Sequence, residues 1–185
     1  MNFVIFQYLH GFSGQSICFD SLIIFGAKYL PYLMVATLAL FLVLGRDRKR
    51  ELKMIFYAII SVVLSRLVIT EIIRHFYPHL RPFQVYNFIP LIYDTASSFP
   101  SGHAAFFFAL ATIIFIFHKK LGVVYFVGSF IIVLSRIMAG IHWPIDILGG
   151  ILIGISSAIV IFKFCERKQI FQILGVGAQS RQRRD

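Results

Sequence analysis

Five runs of apolar residues, each near bilayer length, decide what this chain can fold into. A helix covers the hydrocarbon core with about 20 residues, and segments 21–45, 53–73, 103–118, 121–140 and 145–164 meet or approach that length. The third has 16 residues, which is short unless its helix begins near Ser98 or lies among protein neighbours. Hydrophobic residues make up 58% of the 185, with 21 Phe. A soluble domain of this size has no interior large enough for so much apolar surface, which excludes a soluble globular protein and a disordered chain. The expectation is an all-α integral membrane protein: one membrane-embedded domain over 1–185, a compact bundle of five or six transmembrane helices. Residues 1–20 carry apolar positions but also Gly11, Ser13, Gly14 and Gln15. They are too polar to span and are expected as an N-terminal helix on the membrane surface. They hold no Lys or Arg, unlike the basic start of a cleavable signal peptide.

Charge sets the orientation. The formal net charge is +10, from 18 Lys and Arg against 8 Asp and Glu. In so apolar a chain this points to basic loops beside anionic lipid rather than to nucleic acid. Arg46, Arg48, Lys49, Arg50 and Lys53 fall between the first two spans, and Lys119 and Lys120 between the third and fourth. Lys163, Arg167, Lys168, Arg181, Arg183 and Arg184 follow the fifth, so 165–185 is expected as a cytoplasmic basic tail. Five spans put all these residues on one side, which the positive-inside rule makes cytoplasmic. The amino terminus, the 74–102 loop and the turn after Gly140 then face outward from the cell membrane. Cys18 and Cys165 fall on opposite sides and should not pair. Arg74, Arg81 and Arg136 lie near the outer face, against the general bias.

Three clusters meet on that face. Arg74 precedes Arg81-Pro82, and Pro78 and Pro82 end the second span near Arg74 and leave Arg81 on an extended arm. Ser98 to His103 lies just ahead of the third span, and Ser135-Arg136 leads through His142 to Asp146. From His103 to Ser135 the 32 residues match one helix inward, a basic turn and one helix back, so the second and third clusters return to the same face. Arginine's planar donors match phosphate oxygens and keep their protons. Ser101 and Gly102 stand where a helix begins, with free backbone N–H groups for an anion and, at Gly102, room for close approach. His142 can attack phosphorus, Asp146 can hold one of its ring nitrogens, and His103 can protonate the leaving oxygen and later activate water. The arginines can neutralise the equatorial oxygens.

Arg74-x6-Arg81-Pro82, Pro100-Ser101-Gly102-His103 and Ser135-Arg136-x5-His142-x3-Asp146 resemble the three signature motifs of the type 2 phosphatidic acid phosphatase superfamily. The motif-bearing region, roughly 66–150, is almost half the chain. The resemblance implies His142 as nucleophile, Asp146 as its partner and His103 as acid and base. It implies that Arg74, Arg81, Ser101, Gly102 and Arg136 bind phosphate without a metal or other cofactor. Arg74 departs from the usual Lys: it keeps the charge but is bulkier and bidentate. The compact length and the start Met1-Asn2-Phe3 through His10-Gly11, with Asp20 before the first span, are similar to bacterial undecaprenyl-diphosphate phosphatases.

Plainer readings stand beside these. Membrane-end arginines snorkel to headgroups. His142-Trp143-Pro144 suits an interfacial anchor, and Asp146 suits helix capping. His103, His142 and Asp146 are all metal-ligand types, though three nearby arginines oppose a divalent cation. His10, His75, His79 and His118 show no partner pattern. Glu71 and Arg74 are spaced for a salt bridge, while Arg66 can meet another helix or a lipid diphosphate; support for the phosphate binders is the favoured role for Glu71 and Arg66, as for Pro82, Pro100 and Ser135.

The functional expectation is a lipid phosphatase that converts undecaprenyl diphosphate to undecaprenyl phosphate and phosphate through a phosphohistidine, serving cell-wall synthesis. Its partners are the bilayer and a phosphate- or diphosphate-bearing lipid, not nucleic acid; the sequence does not set an oligomeric state. The same chemistry on phosphatidylglycerophosphate, phosphatidic acid or another isoprenoid diphosphate, or a lipid phosphotransferase, is the alternative. A lipid-binding or transport protein is the non-enzyme alternative, with no evident need for His142 and Asp146.

Overall fold

The computed structural model describes residues 2–45 and 47–168, so Arg46 and residues 169–185 of the expected basic tail lie outside the described residues. The regular structure there is helical. Helix α1 is Asn2–His10, α2 is Ile17–Val43 and α3 is Arg48–Phe76. A short α4, Pro82–Tyr86, sits in the following loop. Then come α5 (Gly102–Phe117), α6 (Lys119–Met138) and α7 (Pro144–Lys168). Within α2 and α3 the segments Phe25–Tyr29 and Val63–Ile69 are π-helical.

Four helices, α2, α3, α6 and α7, are long and apolar enough to cross a membrane; α5 is apolar but shorter. Its length of 16 residues fits its place at the centre of the bundle, where every residue from Phe107 to Ile114 is buried. The expected start of the first span at 21 is corrected to Ile17. Ser16 Oγ accepts the Phe19 N–H at 3.2 Å and caps the helix there. Asp20, expected ahead of the span, lies in its first turn and accepts from Gly14 N at 2.8 Å. α1 is tied to the bundle: Phe6 is buried, with its ring centroid 5.0 Å from that of Trp143.

Glycine sets how closely α5 and α7 approach. A Cβ on Gly150 would lie 2.5 Å from the Ser101 carbonyl oxygen, and one on Gly154 2.6 Å from that of Ala105. Such small-residue contacts let helix backbones touch in a membrane. The contact carries the start of α5 onto the first turn of α7, where Ser101 N donates to the Asp146 carbonyl at 2.9 Å.

The two ends of the bundle differ in charge. At one end Lys53 pairs with Glu166 at 2.5 Å, Glu51 with His118 at 3.0 Å, and Arg50 donates to the Phe117 carbonyl. At the other end the 77–101 loop, the start of α5, the 139–143 turn and the start of α7 meet, so the second and third motif clusters share one face as the 32-residue spacing required. The cysteines stay apart, Cys18 exposed and Cys165 buried, both free thiols.

Candidate active site

His142 lies in the turn between α6 and α7 and is 1% exposed. Its Nδ1 is 3.4 Å from Asp146 Oδ2, one helical turn on, and its Nε2 is 3.5 Å from Arg81 Nη1. Asp146 Oδ2 accepts the Trp143 N–H at 2.8 Å, capping α7, and the Ser98 hydroxyl at 2.5 Å. Ser98 Oγ is also 3.5 Å from His142 Nδ1. The carboxylate thus draws the ring proton to Nδ1 and leaves the Nε2 lone pair toward Arg81. Burial, then the charges of Arg136 and Arg81, hold the His142 imidazole well below its ordinary 6.5, so the ring is neutral at physiological pH.

Arg81 is fully buried and extended at the start of α4, where Pro82 occupies the first helical position. Its Nε donates to the Ala96 carbonyl at 2.8 Å and its Nη1 to the Ile141 carbonyl at 2.7 Å. These bonds pin the loop to the turn that carries His142. Arg136, from the last turn of α6, donates from Nη2 to Asp94 Oδ2 at 3.1 Å, and its Nη1 lies 3.4 Å from His103 Nε2. Asp94 Oδ1 is 2.9 Å from Arg81 Nη2, so one carboxylate lies between two buried guanidiniums. Burial alone would raise Asp94; Arg81 and Arg136 outweigh it and hold the carboxyl below its ordinary value.

Arg74 stands one layer back. Its Nε and Nη2 donate to the Pro100 carbonyl at 3.2 and 3.0 Å, and its Nη1 is 3.3 Å from Glu71 Oε1. The bidentate grip on Pro100 explains what an arginine offers here that a lysine's point charge does not. Glu71 also pairs with Arg66, so the expected Glu71–Arg74 bridge exists within a three-residue network.

Several expectations need correction. The Ser101 N–H is not free for an anion, because the Asp146 carbonyl takes it; Ser101 Oγ faces the Ala104 N–H as the α5 cap. Ser135 packs on α2, where a Cβ on Gly26 would meet its Oγ at 2.2 Å, beside the Ala27 carbonyl that accepts from Arg136. His79 has a partner after all, its Nδ1 3.5 Å from Asp146 Oδ1. His10 Nδ1 meets the Met138 carbonyl at 2.8 Å, His118 pairs with Glu51, and the His75 ring lies 5.1 Å from that of Phe76. Asp94 and Ser98 were assigned no role from sequence. Asp94 did carry a signal, as the one acidic residue in the loop that follows Arg74 and holds Arg81.

This arrangement offers a neutral imidazole steered by a carboxylate, with an anion slot between two arginines beside it and a second imidazole at the far arginine. Residues 50–170 match the PAP2 superfamily. The chain belongs to the PAP2 superfamily. It is 31% identical over 164 residues to the bacitracin transport permease protein BcrC of Bacillus licheniformis, covering 88% of this chain and 79% of that protein. It is 29% identical over 167 residues to the undecaprenyl-diphosphatase BcrC of Bacillus subtilis, covering 90% and 85%. Its fold superposes on the crystal structure of LpxE from Aquifex aeolicus with a TM-score of 0.71 and 26% identity, over 88% of this chain and 94% of that one. The protein is therefore a PAP2 lipid phosphatase, a hydrolase embedded in a membrane by several helices.

Proposed function

We propose that this PAP2 protein removes the terminal phosphate of undecaprenyl diphosphate at the outer face of the cell membrane, leaving undecaprenyl phosphate for reuse in cell-wall synthesis. The observation that carries the reading is the Asp94 carboxylate between Arg81 and Arg136, beside the neutral His142 ring. A phosphoryl group that displaces this carboxylate finds two buried guanidiniums and a nucleophile together. The name of the Bacillus subtilis relative supplies the substrate. The basic end of the bundle supports the orientation, since positive charge stays cytoplasmic. In this reading the four long apolar helices and the shorter α5 all cross, with α5 shielded by its neighbours, and α1 rests at the interface of a single domain.

His142 Nε2 attacks the terminal phosphorus, and the bond to the bridging oxygen breaks. The electron pair leaves on the lipid phosphate, and His103 donates its proton to that oxygen. His103 then takes a proton from water as the water oxygen attacks the phosphohistidine. The P–N bond breaks, which releases phosphate and restores His142. Arg81 and Arg136 hold the equatorial oxygens where charge develops, and Arg74 and Ser101 fix the segment that carries His103. Asp146 keeps the His142 ring aligned. The guanidiniums supply the charge neutralisation that a divalent ion would otherwise provide, so activity is expected to resist chelators.

A transport reading, carried by the name of the Bacillus licheniformis relative, needs the cationic cradle but has no use for an imidazole gripped by Asp146. Phosphate release by purified protein across a lipid panel tests the proposal. Undecaprenyl diphosphate should be the preferred substrate, and His142→Ala should release none. Preference for phosphatidylglycerophosphate or phosphatidic acid would reject the substrate, and release by His142→Ala would reject the mechanism.

A further inference from the structure

A cavity of about 370 Å³ opens beside His103 and Arg136, between α2, the 92–94 loop and the start of α5. Besides Arg136 its lining includes two cations that the mechanism above leaves idle, Lys28 and Arg66. Both come from the π-helical segments: Lys28 from Phe25–Tyr29 and Arg66 from Val63–Ile69. A π turn rotates the side chains beyond it and is frequent at functional sites. Arg66 is held in place twice over. Glu71 pairs with its Nη1, and its guanidinium lies against Gly102, where a Cβ would stand 2.5 Å from Nε. Gly102 leaves the room that the Arg66 guanidinium occupies. Asp94 is the one carboxylate in the lining, set against three cations.

We infer that Lys28 and Arg66 form a second anion subsite, which takes the phosphate that stays on the lipid when a diphosphate is cleaved. This rests on the reading that His142 attacks and His103 protonates the leaving oxygen. In-line displacement puts the leaving group on the His103 side of the phosphorus, which is where this cavity lies. For a diphosphate the group there is a phosphomonoester that gains charge as the bond breaks, and cations there stabilise it. For a lipid monophosphate an uncharged alkyl chain takes that position and leaves the same cations unmatched. The lining also continues into apolar surface: Val35 and Phe106 line both this cavity and an apolar one of about 250 Å³ with Leu38, Leu42 and Leu110, a path suited to the first units of a hydrocarbon chain.

Binding of non-hydrolysable probes tests the subsite without turnover. Farnesyl methylenebisphosphonate and the matching farnesyl monophosphonate are titrated into wild type, Lys28→Met and Lys28→Arg. Lys28 is exposed, so its replacement leaves packing intact. Wild type should favour the bisphosphonate by about tenfold or more. Lys28→Met should lose most of that preference, and Lys28→Arg should keep it. Equal binding of both probes by wild type, or full preference in Lys28→Met, would overturn the subsite. Failure of the lipid-panel experiment would remove undecaprenyl diphosphate as substrate, yet the probe ratio would still decide whether Lys28 reads a second phosphate.

Discussion

The two ends of the bundle hold similar residues under opposite conditions. At the basic end Lys53 and Glu166 are 32% and 42% exposed, and their pair forms where water still reaches both charges. At the motif end Arg81 is wholly buried and Arg136 nearly so, with one partly exposed carboxylate between them. Burying a guanidinium costs several kcal/mol that a single ion pair hardly returns. Among the described residues, the buried side-chain atoms without an aligned hydrogen bond are Ser61 Oγ and Ser157 Oγ in mid-helix and four atoms of the motif end. Those four are His79 Nδ1, Arg81 Nη2, Arg136 Nε and Asp146 Oδ1. Of these, Arg81 Nη2 faces Asp94 Oδ1 at 2.9 Å and His79 Nδ1 faces Asp146 Oδ1 at 3.5 Å, so charge at this end is paired without the aligned bonds that close Lys53 onto Glu166. The contrast sets the motif end apart by burial and not by charge alone.

The sharpest way to break the contrast is at Asp146. Asp146→Asn should lower kcat by roughly 10³-fold, by analogy with loss of a buried carboxylate that orients a catalytic histidine, while vanadate binding changes little. Parallel loss of vanadate binding would make Asp146 a capping residue only. Next, Asp94→Ala strips the carboxylate from between two buried cations and should cost about 3 kcal/mol of stability. Inorganic phosphate should then raise the thermal midpoint of the variant more than that of wild type. Equal gains would contradict the view that Asp94 occupies the phosphate slot.

A smaller effect follows from His142. Its folded pKa lies well below 6.5, so the unfolded chain takes up a proton as pH falls through 6.5 while the folded chain does not. Stability from this group is complete above 6.5 and is lost on acidification toward the folded pKa. The midpoint should drop as pH falls below that value, and His142→Gln should flatten the drop. The smallest effect belongs to the opposite end, where Lys53→Met should cost under about 1 kcal/mol and leave turnover as it was.

Local patterns were legible in the sequence because each is written in a short window. Apolar runs gave the long helices, prolines placed the end of α3, and the motif spacing placed His103, Arg136, His142 and Asp146 on one face. Less legible was what depends on loop conformation. Asp94 acquires its role by reaching Arg136, 42 residues away, and Ser98 by reaching Asp146, 48 residues away. The motif also misled at one point, since the Ser101 N–H is spent on joining α5 to α7. Motif spacing tells which residues share a face, whereas the direction of each side chain depends on the helix packing that glycines such as Gly150 permit.

The central claim is that the His142 imidazole carries the phosphoryl group. Rapid quenching of enzyme turning over ³²P-labelled undecaprenyl diphosphate, followed by peptide mass spectrometry under alkaline conditions, tests it directly. A phosphoryl group on the peptide containing His142, absent from His142→Ala, is the predicted result. Label on another residue, or steady turnover with His142 never modified, would contradict it.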